Sequence, residues 1–331
     1  MGVSRRNSST KTPSKAAARP VILWGLDPLQ DDVRFHRHAL QVLRPFALAF
    51  GLKIQPVVVV GPFQLREWAL GGREGDLDLR GDYPLLRSWI EQRMRSLISS
   101  KERNLVLDVL LLKTPQSHDD SLSDRVETLC THARKVKAPF VALHSHGRHG
   151  LKRLFMGSFA ETCVLHADVP ILVMNPSAQP AKRIARILFP TDLSAASRQV
   201  FERTLHLAKQ LKAELKLVHC LHVAGLSVFY ASRQSKVQLQ KEQRAEELRV
   251  KRAAALLLRR AKAKGVKSSF SILRSKGRFD PAEMLLEAAS RSPVQLIAMA
   301  ARSNSARAAL IGATSRKLAR SSRCPVLLLR R

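Results

Sequence analysis

Hydrophobic positions along the chain fall into two alternating kinds of segment. Short apolar runs recur at Val21-Ile22-Leu23-Trp24, Val57 to Val60, Leu105 to Leu112, Phe140 to His144 and Val169 to Met174. A second series follows at Ile187-Leu188-Phe189, Leu215 to Cys220, Ser269 to Leu273, Leu296 to Ala300 and Cys324 to Leu329. Runs that are apolar throughout, rather than alternating, suit central strands buried on both faces of a parallel sheet. Between them lie segments of helical spacing. Leu40, Leu43, Phe46 and Ala47 share one face of a helix predicted over Val33 to Phe50. Leu205, Leu207, Ala208 and Leu211 do the same from Ser194 to Leu211. Strand, helix and strand in succession imply parallel pairing through a right-handed crossover, so the class is α/β.

The two series are copies of one unit. Gly157 and Gly312, and likewise Pro170 and Pro325, stand 155 residues apart, whereas Asp27 and Asp192 stand 165 apart. A constant offset over a whole segment marks a duplication, with ten additional residues in the middle of the first copy. Two domains also fit a chain of 331 residues. The expected boundaries are a basic, disordered tail over 1–18, domain 1 over 19–177, a linker over 178–184 and domain 2 over 185–331. From about Arg233 to Lys264 a long basic segment carries Leu239, Leu248, Leu256, Leu257 and Leu258. It reads as an amphipathic helix that packs its leucine edge on the sheet and turns a solvated charged face outward.

Charge changes the picture more than composition does. Lys and Arg number 57 against 26 acidic residues, a formal net charge of +31. Such a chain attracts polyanions without a dedicated groove, so salt-sensitive, non-specific binding to nucleic acid is expected. No apolar run reaches the ~18 residues that span a bilayer, and the N-terminus has no signal-peptide core, so a cytoplasmic protein with no membrane partner is expected. Four widely spaced cysteines, Cys130, Cys163, Cys220 and Cys324, form no CxxC pair and read as reduced thiols.

Parallel sheets bind ligands beyond the carboxyl ends of their strands. In the first copy, Asp27 ends strand 1, and strand 4 runs into His144-Ser145-His146-Gly147-Arg148. The loop then reaches Gly157-Ser158 at the start of the last helix. Free amides at a helix start, beside a serine hydroxyl, form a phosphate cradle, and Arg148, Lys152 and Arg153 add positive charge. Three nearby histidines, His144, His146 and His149, lack a carboxylate or thiol partner and are not read as a metal site. His36 and His38, two apart on a helix, face different ways. No G-x-S-x-G, H-E-x-x-H or Walker loop is present, and a lone Asp27 without a paired base argues against an enzyme.

These residues resemble the universal stress protein family, whose ATP-binding members carry Gly, two residues, Gly, nine residues, then Gly followed by Ser or Thr. Gly147, Gly157 and Ser158 match the second part of that pattern, while His144 occupies the first glycine position. The resemblance spans both domains. It implies two Rossmann-like, five-stranded parallel sheets of order 3-2-1-4-5, paired through their last strands. It also implies ATP in domain 1, with Asp27 and the backbone near Val59 at the adenine and Gly147, Gly157 and Ser158 at the ribose and phosphates. In domain 2 both earlier glycines are missing and Ala313 replaces the serine, so no ATP is expected there. The rival reading is an ATP-independent scaffold whose basic surface takes nucleic acid or an acidic protein.

Overall fold

A computed structural model describes residues 20–26, 33–61, 88–99 apart from 89, 93 and 97, 102–115, 121–145, 158–221, 233–275, 280–301 and 312–330. The strands are β1 (Val21–Gly25), β2 (Lys53–Val60), β3 (Leu110–Lys113), β4 (Val141–His144), β5 (Ile171–Met174), β6 (Arg186–Pro190), β7 (Glu214–Leu221), β8 (Ser268–Arg274), β9 (Leu296–Ala300) and β10 (Val326–Leu329). The helices are α1 (Val33–Phe50), α2 (Leu122–Lys135), α3 (Ser158–His166), α4 (Ala195–Leu211), α5 (Arg233–Ala263), α6 (Pro281–Arg291) and α7 (Ala313–Ser321). None of the described helices is long and apolar enough to cross a membrane.

All ten of these strands join one sheet in the order β3-β2-β1-β4-β5-β10-β9-β6-β7-β8. Each half is parallel in the order 3-2-1-4-5, and the halves meet through the antiparallel pair β5–β10. The register there places Leu172 opposite Leu327, flanked by Val173–Val326 and Ile171–Leu328. Leu172 and Leu327 are repeat equivalents, so a pseudo-two-fold axis passes between them. Around this axis each half caps the other. Asn175 Nδ2, just past β5, donates to the carbonyl of Ser322 at the end of α7 at 2.7 Å. Its equivalent Arg330, just past β10, donates to the carbonyls of Val164 and Leu165 in the last turn of α3 at 2.6 and 3.0 Å. Burial pulls the Arg330 guanidinium below its ordinary value, while Cys130 and Asp168 act in the opposite sense. Those bonds satisfy helix-end carbonyls that would otherwise be buried without donors.

Two hydrophobic layers enclose the sheet. α1 and α4 cover one face over Trp24, Leu40, Leu43, Phe46, Phe189 and Phe201. α2, α3, α6 and α7 cover the other, over Leu129, Cys163, Val173, Leu285, Leu318 and Val326. The spacing predicted for α1 is observed: Leu40, Leu43, Phe46 and Ala47 are all buried. Two expectations need correction. The third strand of domain 1 is shorter than Leu105 to Leu112, because residues 102–105 form a turn and only a single bridge, Ile54 to Val106, precedes β3. The basic helix α5 does not pack by its leucines as a set. Val250, Ala254, Leu257 and Ala261 are buried, whereas Leu248 and Leu256 are 50% and 58% exposed. These four, at i, i+4, i+7 and i+11, form one stripe that includes a single leucine, and Leu248 and Leu256 fall outside it.

The ten extra residues of domain 1 are spread out. Val21 pairs with Lys53 and Arg186 with Glu214, so the offset falls from 165 to 161 between the first two strands. Leu23 opposite Val141 and Leu188 opposite Ile297 bring it to 156 at the fourth strand. The loop before the last helix is therefore one residue shorter in domain 2.

Candidate functional site

The carboxyl ends of β6, β7 and β9 open into a cleft of about 400 Å³ in domain 2, lined by Asp192, Cys220, Pro281, Met299, Gly312 and Ser315 among others. Its floor is set by local chemistry. Thr191 N–H continues the ladder to the carbonyl of Val218 at 2.9 Å. The Thr191 hydroxyl shares a 2.9 Å bond with Ser197 and accepts from Leu193 N–H at 3.0 Å. His219 Nδ1 lies 2.8 Å from the carbonyl of Thr191 and donates to it, since a carbonyl can only accept. Leu193 takes a left-handed conformation, φ 61°, to make the turn into α4. Ser194 caps that helix by accepting from Ser197 N–H at 3.2 Å. Asp192 accepts from Ser194 N–H at 3.0 Å, a bracing role for a strand-end aspartate. Gly312 caps α7 without a side-chain bond.

Asp280 caps α6, the helix that brings Pro281 and Leu285 to the cleft's other wall. Its carboxylate does so by accepting from Ala282 N–H at 3.0 Å and Glu283 N–H at 3.2 Å, and it takes a 2.7 Å ion pair from Lys317 on α7. The Lys317 bond first, then the Glu283 amide, holds the Asp280 carboxyl below its ordinary 3.8. A carboxylate depressed in the folded state stabilises above its unfolded pKa, and that stability is lost as pH falls through the folded value. Asp280→Ala should thus cost about 1 kcal/mol near neutral pH. Urea denaturation of both proteins should show the difference shrinking only as pH falls below 3.8. A difference that persists undiminished in acid would assign it to something other than the carboxylate.

In the thiols burial is the dominant influence. It pushes Cys220, half-buried on the cleft, up to about 11. Cys130 is likewise pushed to about 11, mainly by burial, as is Cys324. These are poor nucleophiles near neutral pH. Among the described residues no group of three His, Cys, Asp or Glu side chains is placed to hold a metal.

Strand registers carry the cleft onto domain 1. Val59 takes the place of Cys220, and His144 that of Ala300. Val59 packs on the face covered by α2 and α3. His144, the residue at the family's first glycine position, points to the opposite face. Its imidazole is 4% exposed and lies 3.6 Å, centroid to centroid, from the ring of Phe35 on α1. Its Nε2 is 3.2 Å from His38 Nδ1, and His38 Nε2 is 2.5 Å from the carbonyl of Ala178 in the interdomain segment. The carbonyl requires a proton on His38 Nε2. In the neutral ring Nδ1 then accepts, and His144 Nε2–H is the donor. Ser158 is exposed as the first residue of α3, with its carbonyl accepting from the Thr162 hydroxyl at 2.7 Å. Asp27, Gly147, Arg148 and Gly157 lie outside the described residues, as do His146, His149 and the loop containing Arg302. The histidine relay to Ala178 escapes sequence reasoning because its members are 106 and 140 residues apart; only the different facing of His36 and His38 points toward it.

The profile of the universal stress protein family matches residues 121–175 and 183–330. Universal stress protein YxiE of Bacillus subtilis (strain 168) is 29% identical over 148 residues, covering 44% of this chain and 98% of the relative. A universal stress protein from Archaeoglobus fulgidus DSM 4304 superposes with a TM-score of 0.57 at 16% identity, covering 93% of this chain and 96% of the other. A putative universal stress protein from Pseudomonas aeruginosa UCBPP-PA14 does so with a TM-score of 0.54 at 14% identity, covering 95% and 94%. At these identities the two structures speak for the fold.

Proposed function

The chain belongs to the universal stress protein family, and on that premise we propose that it is a non-enzymatic, cytoplasmic stress-response protein holding ATP in domain 1. The observation that carries this reading is the placement of His144. A bulky ring at the first glycine position threatens a nucleotide only if it shares the nucleotide's side of the sheet. Here it is packed against Phe35 and His38 on the α1 face, away from Val59. Adenine would then lie near Asp27 and the backbone at Val59, with ribose and phosphates on Gly147, Gly157, Arg148 and Ser158. The amides at the start of α3 and the Ser158 hydroxyl supply donors to the phosphate oxygens.

The domain 2 cleft is the weaker candidate for the same ligand. Both earlier glycines of the loop pattern are missing there, and Ala313 stands where α3 has Ser158. Phosphate there would rely on the first amides of α7, with no hydroxyl on the first helical residue. The test is gentle purification followed by denaturation and chromatography of the supernatant. Adenine nucleotide at no more than one per chain is expected. A preparation free of nucleotide that also fails to bind added ATP would overturn the reading.

A further inference from the structure

Helix α5 is cationic on one side in a way its packing does not require. Val250, Ala254, Leu257 and Ala261 mark its buried side. At about 100° per residue the opposite side carries Val237, Lys241, Arg244, Leu248, Arg252, Leu256, Arg259 and Lys262, all exposed. No carboxylate falls in this stripe. Glu242, Glu246 and Glu247 lie on the helix flanks, where Glu246 pairs with Arg249 at 2.8 Å and Glu247 pairs with Lys251 at 2.7 Å and Arg274 at 2.8 Å. Among the described residues none of the five cations Lys241, Arg244, Arg252, Arg259 and Lys262 has an anionic partner. An ordinary solvated helix intersperses both signs and gains from i,i+4 pairs. Here the anions sit beside the ridge and leave the ridge itself purely positive.

We propose that this ridge binds the phosphate backbone of duplex DNA without regard to sequence. From Lys241 to Lys262 it runs about 32 Å in a rigid line, and duplex DNA presents a phosphate charge per ~1.7 Å of its axis. A straight rod of cations matches a stiff polyanion with little ordering cost. The chain's net charge of +31 draws such a partner in from a distance. The exposed apolar residues argue against a lipid surface as the occupant. Val237, Leu248 and Leu256 are about 12–17 Å apart along the axis, each with cations between, and no aromatic residue accompanies them. Interfacial helices need a continuous apolar strip to enter the acyl region. Phosphate contacts position without reading bases, so no sequence preference follows.

The test is fluorescence anisotropy of a labelled duplex of about 20 base pairs against the full-length protein over a salt series. Unmodified protein is compared with Lys241→Gln/Arg252→Gln/Arg259→Gln and with Lys135→Gln/Lys182→Gln/Lys209→Gln, which removes three exposed cations elsewhere. All six residues are solvent-exposed, and thermal unfolding of each variant verifies the fold. Removing one cation–phosphate interaction lowers the slope of log K against log salt by about 0.9, so the ridge variant should fall by about 2.7 and the control by little. An equal fall in both variants would assign binding to diffuse charge and overturn the proposal. So would no binding by the unmodified protein, or competition in which phosphatidylglycerol vesicles displace the duplex and the ridge variant fails only with vesicles. These readouts are independent of ATP.

Discussion

Gly157→Val should abolish ATP binding in calorimetry, whereas Gly312→Val should leave it intact. The two glycines are repeat equivalents, each standing just before the last helix of its domain. At Gly312 the backbone has φ −53°, which any L-residue adopts, and an added Cβ meets nothing within 4 Å. A valine there should fold without strain, so the Gly312 variant is a sound control. At Gly157 the proposed role is close approach of backbone amides to phosphate oxygens, and a branched side chain would stand where the phosphates belong. Displacing two charge-assisted hydrogen bonds costs about 3–6 kcal/mol, on the order of 100-fold or more in affinity. Two sites per chain, or loss only in the Gly312 variant, would transfer the ligand to the domain 2 cleft. No binding by the unmodified protein would favour the scaffold reading.

The second large effect belongs to the seam. Leu172 and Leu327 face each other on the pseudo-two-fold axis, 0% and 2% exposed. Either Leu→Ala change should cost about 2–5 kcal/mol, because it removes apolar burial and leaves a cavity between two packed layers. The double variant should depart from the sum, since the two sites share one cavity. Urea denaturation followed by circular dichroism measures both. Costs below about 1 kcal/mol in each single variant would mean that the antiparallel joint is not closed in solution.

Much of this architecture is legible from local pattern. Apolar runs at a repeating offset give parallel strands, buried in the sheet interior but only half-buried in the edge strands β3 and β8, and helical spacing places Leu40, Leu43, Phe46 and Ala47 on the sheet, as observed. Periodicity makes the third strand too long because it cannot see the turn at residues 102–105 that interrupts it. The packing side of α5 escapes for a related reason. Counting leucines weighs hydrophobicity, but the angular phase of Val250, Ala254, Leu257 and Ala261 decides which side fits closely, and it leaves Leu248 and Leu256 in solvent.

The duplication, the parallel α/β class and the positions where strands end are local information, because they follow from short-range periodicity and from offsets that can be counted. The loop pattern behind the ATP reading is local in the same way. Which way His144 points is a matter of the folded packing, since it depends on Phe35 and His38, more than 100 residues away in the chain. That packing alone placed Asn175 and Arg330 as reciprocal caps across the seam. It alone separated the five ridge cations of α5 from the carboxylates beside them. Contacts between distant segments depend on the packing of whole layers, and no local spacing encodes that.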